Sequence, residues 1–245
     1  MKALLLNSGV GKRMGGLTKD KPKCMAEIGA GYTILSWQLY LLQKAGIREA
    51  VITTGPFADI LQGYVESLKP EMDIRFVANP EYDTTNYIYS IQCAREQLED
   101  DILLLHGDLV FEPSVIDDIM GSRESCVAVD SRLPLPEKDF KAWLQGKRVK
   151  AVGTEFFGED CVACQPLYHM LKKDMLVWLD EIARFCASGQ RTVYAEKALN
   201  NMTDRIALYA AELNGRLCNE IDNAEDLNAI SSRFKGIIES ERIPV

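Results

Sequence analysis

Five basic residues crowd the start of this chain. Lys12, Arg13, Lys19, Lys21 and Lys23 fall within N-S-G-V-G-K-R-M and the K-D-K-P-K that follows, and Asp20 is the one acid among them. The cluster follows an apolar segment, 3–6, and begins with small residues, so backbone amides can approach an anion closely while cations surround it. A single phosphate needs one or two cations, whereas a triphosphate about to lose pyrophosphate gains from several. Two familiar phosphate loops fit poorly. Gly9-Val-Gly11 supplies two glycines of a dinucleotide fingerprint, but Met14 stands at the third position and the segment 51–54 ends without the ribose-binding acid. An ATPase loop needs glycine where Leu6 stands and Ser or Thr where Arg13 stands. What remains is a loop whose backbone amides can meet an anion ringed by cations, or else a solvated basic loop; that only Asp20 stands among the five cations favours a phosphate ligand.

Such chemistry also needs a metal, because a triphosphate is handled as its Mg2+ complex and magnesium prefers a few carboxylates beside phosphate oxygens and water. Asp108 follows the apolar run 102–105, at the carboxyl edge where open α/β sheets bind ligands. Asp222 follows Ile221 after another apolar approach. Either acid alone is as well suited to capping a helix or closing a turn. Asp117-Asp118 lies in a helical pattern and reads as a solvated face, and Glu225 and Asp226 suit the start of the last helix. Asn86 can both donate and accept, which suits it to reading a pyrimidine edge as well as to capping the helix it begins. Asn79, Tyr82, Thr85 and Ser90 lie close to it in sequence.

The elements that must position these groups are written in the hydrophobic pattern. Apolar runs at 3–6, 50–53, 74–78, 102–105, 126–129 and 149–152 read as buried strands. Helical periodicity covers 34–45, 57–68, 86–98 and 113–120, with Gly46 as a stop and Pro113 in a first turn. This alternation predicts an α/β fold with a mostly parallel, mixed sheet and helices on both faces. Beyond about residue 130 the rhythm fails. Leu133-Pro-Leu-Pro136 reads as a turn or edge, 138–152 as short strands around Gln145-Gly146-Lys147, and helices are expected at 172–187 and 224–238. With no repeat or linker, the expectation is one domain over 1–245, its nucleotide-binding half about 1–130 and a smaller mixed insertion for the acceptor in about 131–245.

Composition narrows the class. The 245 residues are 47% hydrophobic, enough for a substantial core, and the formal charge of −8 argues against coating nucleic acid or an anionic membrane. No run is long enough to insert in a membrane, no leader pattern opens the chain, and seven scattered cysteines suit reduced thiols, so a cytoplasmic protein is expected. Cys161 and Cys164 alone have metal spacing, too little for a zinc site.

The segment L-L-L-N-S-G-V-G-K-R-M-G-G-L-T-K-D-K-P-K-C-M resembles the signature of nucleotidyltransferases of the GT-A type, which join a nucleoside triphosphate to a phosphorylated small molecule. The likeness continues through N-P-E-Y-D-T-T-N-Y-I-Y-S, H-G-D-L-V-F, V-Y-A-E-K-A-L-N and C-N-E-I-D-N-A-E-D-L, where it is most similar to bacterial CTP:phosphocholine cytidylyltransferases. The resemblance implies that Arg13 and Lys23 are the catalytic cations, Arg13 on the leaving phosphates and Lys23 on the α-phosphate. It implies that Asp108 and Asp222 hold the metal together, and that Asn7, Ser8, Gly9, Gly11, Lys12, Asn79, Thr85, Asn86 and Asp108 receive the nucleotide. The partners would be CTP and a small phosphorylated acceptor, phosphocholine first. A quaternary ammonium is held by aromatic faces and carboxylates, which makes Trp143, Tyr168, Tyr194, Glu196 and Glu220 the acceptor candidates; Tyr194 and Glu196 match the family best.

His106 departs from the family, which often has an acid before G-D. Phosphoethanolamine, 2-aminoethylphosphonate or a sugar 1-phosphate remain alternative acceptors. A glycosyltransferase would carry D-x-D where this chain has G-D-L-V, and a regulatory module without turnover would not need both cations and both carboxylates.

Overall fold

The computed structural model describes residues 1–11 and 18–243. The strands are β1 (Lys2–Asn7), β2 (Glu27–Gly29), β3 (Tyr32–Thr33), β4 (Glu49–Thr54), β5 (Asp73–Ala78), β6 (Ile102–His106), β7 (Leu109–Phe111), β8 (Cys126–Asp130), β9 (Lys141–Gln145), β10 (Arg148–Gly153), β11 (Cys161–Met170), β12 (Tyr209–Glu212) and β13 (Cys218–Glu220). The helices are α1 (Ile34–Lys44), α2 (Ala58–Leu68), α3 (Tyr87–Ala94), α4 (Pro113–Met120), α5 (Lys172–Ala187), α6 (Ala195–Asn200) and α7 (Ala224–Glu241).

Nine strands form one sheet in the order β5-β4-β1-β6-β11-β8-β12-β10-β9. The pairs among β5, β4, β1 and β6 are all parallel, as the alternating pattern predicts. Antiparallel β11 then joins β6 to β8 and makes the sheet mixed. Apolar residues of consecutive strand positions go to opposite faces. Ala3 and Leu5 of β1 join Leu103 and Leu105 of β6 in a core with α1, α2, α4 and α7, while Leu4, Leu6, Ile102 and Leu104 face α3, α5 and α6. Each fully buried leucine contributes about 1.5–3 kcal/mol, so the two-faced burial of β1 and β6 anchors the carboxyl ends of both strands.

Helix boundaries follow local chemistry. Thr33 caps α1 in a reciprocal box with Ser36, and Gly46 follows the helix at φ 86°. Pro113 opens α4, where its missing N–H is harmless. The pattern over 86–98 is shorter as a helix than expected: α3 ends at Ala94 and a single tighter turn continues to Gln97.

The longest strand, β11, was not expected. Its sequence, C-V-A-C-Q-P-L-Y-H-M, places Pro166 in the middle of a central strand, where a residue without an N–H normally does not belong. A register shift between Cys164 and Tyr168 in the pairing with β8 accommodates it. The 138–152 segment forms the β9–β10 hairpin, turning at Gly146 with φ 60°. A separate two-stranded ribbon pairs β7 with β13, Leu109 opposite Glu220 and Phe111 opposite Cys218.

Candidate active site

The ribbon brings Asp108 and Asp222 together from 114 positions apart. Asp108 lies in the Gly107-Asp108 turn between β6 and β7, and Asp222 follows β13. The Ile221 N–H donates to the Asp108 carbonyl at 3.0 Å, continuing the ladder to the two acids. Beneath the turn, buried Gln38 of α1 donates to the carbonyls of His106 (2.9 Å) and Leu109 (2.8 Å). Gly107 is required by close approach: a Cβ there would lie 1.9 Å from Asn7 Oδ1. The Asp226 carboxylate accepts from the Asp222 N–H at 2.8 Å, so the cap of α7 also fixes the second acid.

Lys23 stands between these acids. Its Nζ donates to Asp108 Oδ2 at 2.7 Å and to Asp222 Oδ1 at 2.8 Å. Burial opposes the ammonium, but Asp108 and Asp222 outweigh it and raise the Lys23 pKa above its ordinary value. Burial likewise opposes the charged Asp108, yet Lys23 and then His106 hold its carboxyl below the usual range. The neighbouring Glu220 has the opposite balance: burial, then the Asp108 charge, push it up to about 7. His106 Nδ1 lies 2.9 Å from Glu220 Oε1, and the His106 ring packs edge-on against Tyr87 at 4.7 Å.

Three adjoining cavities share Asp108. The first, about 270 Å³, is lined by Asn7, Gly9, Gly11, Lys23, Asp108 and Asp222. Gly11 has φ 66°, and a side chain there would press on Lys23 and Thr18. The second, about 200 Å³, takes Ser8, Asn79, Tyr82, Thr85, Asn86 and Ser90. The third, about 330 Å³, has an aromatic and acidic wall: Tyr87, Phe140 and Tyr194 with Asp139 and Glu220, and it also meets Asp222.

Most of the expected site residues therefore converge, though several in different roles. Asn79 uses both amide protons internally, on Thr85 Oγ1 and Ser90 Oγ, and accepts from the Glu81 N–H, so it builds the pocket wall. Ser8 and Ser90 hydroxyls bridge across the same wall at 2.6 Å. Asn86 caps α3, its Oδ1 accepting from the Tyr87 N–H, and still lines two of the cavities.

Two acceptor candidates need correction. Tyr168 is 0% exposed in β11, and its hydroxyl donates to Glu196 Oε1 at 2.9 Å, so it cannot contact a ligand. Trp143 is exposed on β9 but lines none of the three cavities. Glu196 is itself buried, accepting hydrogen bonds from the Tyr168 and Tyr87 hydroxyls, and stands behind the Tyr87 ring. Tyr194 is 41% exposed and packs edge-on against Phe140 at 5.0 Å. Lys12 and Arg13 lie outside the described residues.

Tyr87, Phe140 and Asp139 were missed. Tyr87 adjoins Asn86 in the family-like block and was signalled by that neighbour, but Asp139 and Phe140 follow a proline-bearing loop with no periodic signal. His106 lines both the second and the third cavity, so its departure from the family bears on the space between them and on Glu220.

The donor set suits a hard cation. Asp108 and Asp222 already converge on one ammonium, and carboxylate oxygens are the ligands a magnesium ion prefers. Among the described residues, His106, Asp108 and Glu220 also offer ligand atoms within 4.8 Å of one another.

A phosphate chain entering the first cavity would meet the glycine loop on one side and Lys23 on the other, at the carboxyl ends of parallel strands. Sheet and site together have the architecture of nucleotidyltransferases of the GT-A type. Residues 3–199 match the family model of the MobA-like NTP transferase domain, and the chain belongs to that family. It is 33% identical over 132 residues to CMP-5'-(3-aminopropyl)phosphonate synthase of Streptomyces rubellomurinus, covering 54% of this chain and 21% of that protein. It is 22% identical over 250 residues to choline-phosphate cytidylyltransferase of Streptococcus pneumoniae, covering 96% and 99%. Among solved structures, the inositol-1-phosphate CTP transferase from T. maritima has the same fold, with a TM-score of 0.79 at 22% identity over 97% of this chain and 96% of that one. The chain spans about half the length or less of the first two curated relatives it matches. Among the described residues no helix is long and apolar enough to cross a membrane.

Proposed function

We propose that the protein is a Mg2+-dependent cytidylyltransferase that transfers CMP from CTP to a small phosphorylated amine, phosphocholine first, releasing pyrophosphate. The observation that carries this reading is the third cavity, in which Tyr87, Phe140 and Tyr194 faces meet the Asp139 and Glu220 carboxylates beside Asp108 and Asp222. Aromatic faces and carboxylates attract a quaternary ammonium, which has no proton to donate. Asp108 and Asp222 line both this cavity and the Lys23 cavity, so an acceptor held here would have its phosphate end beside Lys23. The names of two relatives and one structural neighbour, which concern cytidylyl transfer to phosphonate, phosphocholine and inositol phosphate, support the nucleotide choice.

In the reaction an acceptor phosphate oxygen attacks the α-phosphorus of CTP; the new P–O bond forms as the bond to the bridging oxygen of the β-phosphate breaks, and pyrophosphate leaves in line. Lys23 neutralises the two anions that must meet, and the glycine loop with Asn7 and Ser8 fixes the nucleotide. Arg13 would hold the leaving phosphates. Asp108 and Asp222 would hold magnesium, which when bound neutralises triphosphate charge. Tyr194 and Tyr87 orient the cationic end of the acceptor, and Glu196 steadies Tyr87 from behind. On this reading one domain is divided between nucleotide and acceptor halves, and the enzyme works in the cytoplasm.

A second reading, a primary aminoalkyl phosphate or phosphonate, is favoured by Asp139 and Glu220, whose oxygens can accept hydrogen bonds from N–H groups that a quaternary ammonium lacks. The test is pyrophosphate release with CTP, UTP, ATP and GTP crossed against phosphocholine, phosphoethanolamine, 2-aminoethylphosphonate and glucose 1-phosphate. Turnover with CTP and phosphocholine is expected. Preference for an aminated acceptor with a free amine selects the second reading, and turnover confined to UTP with the sugar phosphate overturns both.

A further inference from the structure

Lys141, the first residue of β9, is fully buried, and the chemistry above makes no use of it. Taking an ammonium out of water is expensive unless its protons are met. Here they are met by backbone and by a ring. Nζ donates to the carbonyl of Pro136 at 2.8 Å, approaches that of Glu137 at 3.4 Å, and lies 4.1 Å from the centroid of the Phe157 ring. Phe157 is 60% exposed, so its ring meets the ammonium from a position otherwise open to solvent.

These contacts join two separate loops. Pro136 and Glu137 belong to the stretch 131–140 between β8 and β9, and Phe157 to 154–160 between β10 and β11. Both loops line the third cavity, the first through Lys138, Asp139 and Phe140 and the second through Thr154. Lys141 itself is fixed in the sheet, opposite Gly153 of β10 and Ala163 of β11. One side chain thus reaches from a strand of the sheet to both loops.

We infer that Lys141 is a positioning residue for the acceptor: its ammonium clamps loops 131–140 and 154–160 into a single wall and so sets the shape of the cavity that receives the acceptor's cationic end. The kinetic part of this inference rests on the proposed function; the clamp itself does not.

The experiment compares the full chain with Lys141→Met, which keeps length and loses charge, and Lys141→Arg, by amide hydrogen exchange and by steady-state kinetics. Lys141→Met is expected to lose about tenfold or more of the protection in both loops while β1, β4 and β6 stay within about twofold. The acceptor KM rises about tenfold, the CTP KM stays within about twofold, and Lys141→Arg restores most of both. Unchanged exchange in the two loops overturns the inference, as does an equal rise of exchange throughout the sheet or an equal rise of both KM values. Should Lys141→Met fail to fold, Phe157→Ala takes its place: it is expected to loosen 154–160 and raise the acceptor KM about threefold, and unaltered exchange there overturns the clamp. If no acceptor is turned over by the parent protein, the proposed function falls, and the exchange comparison alone decides the role of Lys141.

Discussion

Lys23 answers to two carboxylates at once, and its removal separates chemistry from folding. Lys23→Met should lower turnover by about 10²–10³, the usual cost of deleting one charge-stabilising donor, while far-UV dichroism stays native; a variant retaining full pyrophosphate release would remove Lys23 from the mechanism. His169 gives a stability prediction of definite sign. Burial holds its imidazole below the ordinary value of 6.5, so the unfolded chain takes up a proton that the folded chain refuses. Its contribution is present above pH 6.5 and is lost as the pH falls below that value. The urea midpoint of the parent should therefore drop more steeply on acidification than that of His169→Gln; equal slopes would contradict the assignment. Single residues were legible where the chain marks them by context: Lys23 by its glycine loop, Asp108 by the end of a strand. Tyr168 was not, because the register shift around Pro166 breaks the two-residue parity from which an inward or outward side chain would be inferred.

Among the elements, the Gly107-Asp108 turn is held from three sides: by the ribbon, by Gln38 below and by β1 beside it. Gly107→Ala would drive a methyl into Asn7 Oδ1 and the Leu6 carbonyl. Relieving that overlap should cost about 1–3 kcal/mol, seen as a lower denaturation midpoint, and should weaken nucleotide binding more than acceptor binding, because Asn7 shifts first. Unchanged stability and nucleotide KM would show that the turn yields freely. The parallel half of the sheet was readable because buried parallel strands are continuous apolar runs separated by amphipathic helices. Of the remaining half, β8 and the β9–β10 hairpin were readable and the rest was not. There β11 contains a proline, β7 and β13 have three residues each, and α6 has six, all too short or too irregular for a period to appear.

For the whole molecule, the last fifth of the chain closes what the first fifth begins. β12 is inserted between β8 and β10, and α7 returns to the opening segment, where fully buried Phe234 meets Trp37 at 4.8 Å and Tyr32 at 6.1 Å, both edge-on. Phe234→Ala should cost about 3–5 kcal/mol, measured by urea or thermal unfolding; a loss under about 1 kcal/mol would mean that the aromatic cluster closes over the gap. Because Asp222 is held by the cap of α7, the same variant should weaken magnesium binding, which calorimetry can follow. The pairing of β7 with β13 has one more consequence. The two strands of that ribbon bracket residues 112–217, so the stretch that supplies Lys138, Asp139, Phe140, Thr154 and Tyr194 to the third cavity is closed at its base by three residue pairs. Changes of length or sequence within the bracketed stretch can therefore reshape that cavity while the β7–β13 pairing keeps Asp108 and Asp222 in register.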